Sequence, residues 1–128
     1  FDEGSGDTAF DLSDYGNDGI LRGDPQWVDG IYDGAIDLDG NDDYIEINSI
    51  ADDLTDNNFS VSAWIKTTMT GDGNVIGAND SGSGHQFIFG VAGNGTLLVE
   101  ATSNINSYPP VINDGEWHFI AYIRDGTT

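Results

Sequence analysis

From Asn58 to Thr67 the chain reads N-F-S-V-S-A-W-I-K-T, so that Phe59, Val61, Ala63 and Ile65 alternate with Ser60, Ser62, Trp64 and Lys66. Successive side chains of a strand point to opposite faces, and this period of two predicts a strand with one core face and one face that Trp64 makes amphipathic. The same logic predicts strands at Gly34–Asp39, Tyr44–Ile47, Asn74–Gly77, Gln86–Val91, Thr96–Ala101 and Trp117–Arg124. In the last, Trp117, Phe119, Ala121 and Ile123 share one face, and His118, Ile120, Tyr122 and Arg124 share the other. Mixed faces of this kind suit two sheets packed together, with the outer face of one partly covered or used for contacts. No segment keeps a helical period over three turns, so the pattern is all-β.

Eighteen glycines punctuate these runs. Asp39-Gly40, Asn94-Gly95, Asp114-Gly115 and Asp125-Gly126 stand where hairpins need a positive φ. Tyr108-Pro109-Pro110 lacks the donors for a ladder interior and is expected as an extended loop leading into Val111–Ile112. The acidic stretch G-A-I-D-L-D-G-N-D-D-Y-I-E-I, Gly34 to Ile47, has two readings. An EF-hand needs glycine at position 6 and a bidentate Glu at 12, but counting from Asp37 puts Gly40 at 4 and Asn48 at 12. That reading fails. What remains is a hairpin in which Ile36 and Leu38, then Ile45 and Ile47, point inward around a reversal at Asp39–Asp42, with some cation contact through a neighbouring loop as the other possibility.

The 128 residues amount to one domain's worth of chain, and a start at Phe1 reads as a piece of something longer. Against 3 basic residues stand 23 acidic ones, a net charge of −20. Such a chain repels phosphate backbones, which argues against nucleic acid and anionic membranes as partners, and no apolar run is long enough for membrane insertion. Nineteen of the acids are Asp and four are Glu, which concentrates the charge on turns, where it solvates a surface or ligates hard cations such as calcium. A high-salt habitat favours the same composition, because salt screens the self-repulsion. There is no cysteine, hence no disulfide and no thiol chemistry.

Five blocks, F-D-E-G-S-G-D, D-L-S-D-Y-G-N-D-G-I-L, G-A-I-D-L-D-G-N-D-D-Y-I-E-I, F-S-V-S-A-W-I-K and N-D-G-E-W-H-F-I-A-Y, follow in an order and spacing that resembles the laminin-G-like jelly rolls of the concanavalin A-like lectin/glucanase superfamily. The resemblance covers nearly the whole chain. It implies an all-β, two-sheet antiparallel jelly-roll sandwich spanning residues 1–128 as a single domain. It also implies that the C-terminal closing strands are missing, since such domains continue with a strand carrying Y-V-D-G and one of the type I-D-E-V-R-I-Y. The segment Phe1–Phe10 is then expected to keep an exposed edge. In the family's D-x-S-G-N-G-N-D-G loop, Asp14-Tyr15 stands here where Gly-Asn is usual, so a position that can need positive φ holds an aspartate.

The loop Asp11–Gly19 is the better metal candidate: Asp11, Asp14, Asn17 and Asp18, with Ser13, offer hard oxygens for calcium, and the resemblance implies a structural calcium near the N-terminal strand. The E-x-D-x-x-E carboxylate arrangement of the superfamily's retaining glucanases is not found; Glu46 and Glu100 each stand alone. His85 and His118 have no Ser or Cys partner in the pattern, and His118 is expected to be a partly buried structural residue. For sugar stacking the loop candidates are Tyr108, with Asn104 and Asn106 beside it, and Tyr15; Trp27 and Trp64 read as packing residues. Three glycosylation triplets, at Asn58, Asn79 and Asn94, carry little weight in an Asn- and Ser-rich chain. The sequence thus points to a non-catalytic, extracellular or cell-surface module for a polysaccharide, a glycoconjugate or another surface protein. The alternatives are a calcium-stabilised structural or adhesive repeat and an accessory domain of a glycoside hydrolase.

Overall fold

The computed structural model describes residues 1–48, 50, 54, 58–79, 86–101 and 104–125. His85, Gly126 and the Asp80-Ser81 part of one glycosylation triplet lie outside the described residues. Contacts divide the chain into two units, Phe1–Ile50 and Ala51–Thr128. Among the described residues every strand pair is antiparallel.

The first unit holds β1 (Thr8–Ala9), β2 (Gly19–Arg22), β3 (Gln26–Asp29), β4 (Gly34–Asp37) and β5 (Tyr44–Glu46). One sheet has the order β1-β2-β5, and β3 and β4 form a separate hairpin. Among the described residues β1 pairs only with β2, Thr8 lying opposite Ile20. Buried Ala9 and Leu21 anchor this small sheet.

The expected hairpin between the Ile36 and Ile45 runs is not formed. The Gly30 N–H donates to the Asp33 carbonyl at 2.8 Å, closing a turn that returns β4 onto β3, with Trp27 opposite Ile36. Its pairing edge used there, β4 leaves β5 to pair with β2, Leu21 opposite Ile45. Residues 38–43 therefore cross between sheets. Ile36 and Ile45 are half-buried, whereas Leu38, just past the end of β4, and Ile47, just past the end of β5, are exposed because they lie outside the strands' pleat.

The second unit holds β6 (Phe59–Lys66), β7 (Gly73–Asn79), β8 (Gln86–Val91), β9 (Thr96–Ala101), β10 (Asn104–Val111) and β11 (Trp117–Arg124). A four-stranded sheet β10-β9-β8-β7 faces the pair β11-β6. Strict alternation decides which side of β6 is covered: Phe59, Val61, Ala63 and Ile65 are half-buried and the residues between them exposed. Phe59 and Tyr122 of this pair meet Phe87 and Phe89 of β8, the two most deeply buried side chains, with ring centroids 4.8 to 6.3 Å apart. The outer face carries Trp64 opposite Phe119 and Ser62 opposite Ala121.

Asn94-Gly95 does make the β8–β9 hairpin: Gly95 has φ 82°, and the Asn94 carboxamide oxygen accepts from the Thr96 N–H and hydroxyl. Asp114-Gly115 is different. Gly115 has φ 81°, but its N–H donates to the Thr67 carbonyl and the turn carries the chain from the four-stranded sheet to the other layer. Tyr108-Pro109-Pro110 is also placed otherwise than expected, inside β10, where the register jumps from Tyr108 to Val111. Two prolines are tolerated there because β10 is an edge strand and the bulge needs no N–H from them.

Phe89 is fully buried and touches the ring of Tyr122. Phe89→Ala is expected to cost about 3–5 kcal/mol of unfolding free energy, read as a lower urea midpoint, whereas Ser62→Ala on the exposed face leaves that midpoint almost unchanged.

Candidate functional site

On β10, Asn104 lies opposite Ala101, Asn106 opposite Val99 and Tyr108 opposite Leu97. Alternate residues share a face, so the three positions picked from the sequence line one side of one strand. It is the side that further in carries Phe89 and Val91, the partners of Val99 and Leu97 on β8. Tyr108 and Asn106 therefore continue the core face outward to the sheet's edge, where Asn106 is exposed and Tyr108 is 49% exposed. The result is a rim with an aromatic ring and an amide, followed by a bulge that two prolines stiffen. Tyr15 belongs to the first unit, in the turn after Ser13, and is 86% exposed.

The loop from Asp11 to Asp18 is closed by its own carboxylates. Asp11 accepts from the Ser13 N–H (2.8 Å), the Ser13 hydroxyl (2.7 Å) and the Asn17 N–H (2.8 Å), while Asp18 accepts from the Asp11 N–H (2.8 Å). The left-handed residue is Gly16, φ 69°, and Asp14 does not need a positive φ. An ion at Asp11 would compete with three protein donors. Those hydrogen bonds, first that of the Ser13 N–H and then that of Asn17, hold the Asp11 carboxyl below its ordinary 3.8.

Sequence reading undervalued Asp39, Asp42 and Asp43, whose carboxylate oxygens lie within 4.8 Å of one another. Asp43 accepts from the Asp24 N–H at 2.6 Å and from the Asp39 N–H at 3.1 Å, which pins the crossing between sheets. Asp39 takes both the side-chain and backbone N–H of Asn41, and its carboxyl is lowered by them in that order. Each carboxylate keeps lone pairs beyond these bonds, and the donor set is of the hard-oxygen kind calcium uses. The signal in the sequence was Asp42-Asp43 after the glycine turn. What it lacked was the fold that folds Asp39 back over them.

Glu46 is bound at 2.7 Å by Arg22, and Glu100 stands between Ile88 and Ile105 in the register of its sheet. His118 is partly buried, and its Nε2 lies 2.9 Å from an Asp114 oxygen. Trp27 is half-buried, donates its Nε1–H to the Gly6 carbonyl at 2.8 Å and lines an open hollow with Phe1, Asp29 and Asp33.

The family model for the concanavalin A-like lectin/glucanases superfamily, laminin G type, matches residues 39–128. The chain belongs to this superfamily. Comparison with curated proteins and with solved structures returns no match. As a member of the superfamily the chain has the frame of a lectin- or glucanase-like binding module, and the match takes in the Asp39–Asp43 crossing, the β10 rim and the β6–β11 pair.

Because folding lowers the Asp11 carboxyl, the folded state binds its proton more weakly than the unfolded chain does. The associated stability is present above the unfolded value and is lost as pH falls through the folded one. Thermal melts of wild type and Asp11→Ala are therefore expected to differ most near neutral pH, the gap narrowing as pH drops below 3.8. A gap that does not change with pH would assign Asp11 no electrostatic part in the loop.

Proposed function

We propose that the chain is a non-catalytic carbohydrate-binding module of a larger secreted or cell-surface protein. The observation that carries the reading is the β10 rim, where Tyr108 and Asn106 project from one face of an edge strand and remain exposed. A phenol ring stacks on the apolar face of a pyranose, and an amide serves its hydroxyls as both donor and acceptor. Asn104 continues that ladder by register, and Tyr15 is a second exposed ring. A binding role without catalysis is supported by the carboxylates: Glu46 is occupied by Arg22, and Glu100 has no acidic partner opposite it. Among the described residues no helix is long and apolar enough to cross a membrane.

A second reading, a calcium-stabilised adhesive repeat that meets another surface protein, is favoured by the convergence of Asp39, Asp42 and Asp43. In that reading calcium would rest on these three and hold the crossing between sheets, with Asp11, Asp14, Asn17 and Asp18 as the other oxygen-bearing loop.

Two measurements separate the readings. On a glycan array, Tyr108→Ala is expected to weaken binding about tenfold or more, the loss of one stacking contact, and binding equal to wild type would remove Tyr108 from the site. In thermal melts, millimolar calcium is expected to raise the wild-type midpoint and not that of Asp42→Asn if the repeat reading holds. No shift in wild type would sink it.

A further inference from the structure

On β6 and β11, Trp64 stands opposite Phe119, Ser62 opposite Ala121 and Ser60 opposite Ile123, all on the face turned away from the Phe59–Phe87–Tyr122 core. Trp64 is 40%, Phe119 58% and Ile123 71% exposed. The Trp64 and Phe119 rings lie 5.4 Å apart and are tilted by 54°, so they form one continuous aromatic step across the two strands. This face points away from the four-stranded sheet.

Its charge is the informative part. In a chain of net charge −20, these two strands hold no carboxylate, and their outer face has one charged residue, Lys66, opposite Trp117. The acids resume beyond the strand ends, at Glu116 and Asp125. A polycation is drawn to the acids at the borders, but on the face itself it meets Lys66 and no carboxylate. A polyanion is repelled by the molecule as a whole and by the acids that frame the face. The partner with matching electrostatics is therefore uncharged. Ser60, Ser62 and Lys66 stand across the strand pair from Ile123, Ala121 and Trp117, so hydroxyls and an ammonium border the apolar positions, which suits a ligand apolar on its flat faces and hydroxylated along its edges.

We infer that the outer face of β6 and β11 is a stacking platform for an uncharged polysaccharide, with Trp64 and Phe119 as the sugar-bearing rings. The inference rests on the carbohydrate-binding reading and adds both the charge class of the glycan and a second surface, distinct from the Tyr108 rim. Ser60, Ser62 and Lys66 fix the orientation of the chain through its hydroxyls.

Native affinity electrophoresis of the full chain through gels containing neutral glucans, xylans and mannans, acidic pectate or alginate, and cationic chitosan tests it. Retardation is expected in at least one neutral gel and in neither acidic gel. Trp64→Ala and Phe119→Ala should each weaken it about tenfold while near-ultraviolet circular dichroism shows the core intact. As a check that does not depend on a large truncation, the neutral polysaccharide should shift the tryptophan emission of wild type clearly more than that of Trp64→Phe, which retains Trp27 and, at the end of the same face, Trp117; equal shifts would overturn the platform. If Tyr108→Ala abolishes neutral-glycan binding and the two ring variants bind like wild type, the platform is overturned and the carbohydrate reading stands. If wild type is retarded only by the charged polymers, the platform is overturned. If no polysaccharide of any charge retards wild type, both fall. Concentration-dependent dimerisation that Phe119→Ser abolishes, with no glycan competing, would make the face a self-association surface and overturn the inference as well.

Discussion

Four rings fasten the two layers of the second unit. Phe59 meets Phe87 edge-on at 4.8 Å and 80°, and Tyr122 lies across from both Phe87 and Phe89. Among the described residues β6 and β11 form a two-stranded ribbon, and a ribbon of that size has marginal stability until a face is covered. Without a cysteine, no covalent tie substitutes for that cover. The ring cluster thus fixes which face of β6 and β11 is inside, and with it which residues are displayed outside. It also sets the pleat of β8 and β9, whose register passes through Val99 and Leu97 to put Asn106 and Tyr108 on the rim.

The first unit is held differently. Its strands run from two to four residues, too short for their ladders alone to define a sheet. Side-chain carboxylates take up loop amides instead: Asp11 closes the turn at Ser13 and Asn17, Asp43 joins Asp24 to Asp39, and Glu3 accepts from the Phe10 N–H at 2.7 Å. An acid bound in this way sits where backbone donors converge, so part of the high Asp content is explained by local structure rather than by solvation alone. The Arg22–Glu46 pair is exposed and adds little beyond strand alignment.

Alternation in the sequence locates β6, β8, β9 and β11 to within a residue: β6, β8 and β11 each press one face on the ring cluster, and β9 lies beside β8 with Leu98 and Val99 buried. It fails for β3, where Trp27 and Val28 offer too short a run and the two Asp-Gly pairs, Asp29-Gly30 and Asp33-Gly34, flank a four-residue turn instead of forming a two-residue one. It fails for β10 because a proline pair argues against a ladder interior, whereas an edge strand with a bulge has room for it. Strand partnership is the deeper gap: β4 pairs with β3 through four register positions and a turn closed at Gly30, a partnership that no hydrophobic pattern records. For the same reason the meeting of Asp39 with Asp42 and Asp43 was hidden, while the Asn106–Tyr108 spacing of two, visible from the start, acquired meaning only once a strand replaced the loop.

Charge and display are then two sides of one partition. Carboxylates gather at turns, where amides can use them, and the strands of the second unit are left nearly free of acid, Glu100 being the exception among β6 to β11. A sheet face without carboxylates brings aromatic rings close to a partner without desolvating a charge, a step that is costly when no counter-charge is supplied. Glu116 and Asp125 at the strand ends add like-charge repulsion to any contact that brings two copies together at this face. Exposed rings on an acid-free face and acid at its borders therefore favour a ligand that is thin, uncharged and able to lie along the strands without drawing the turns against another protein.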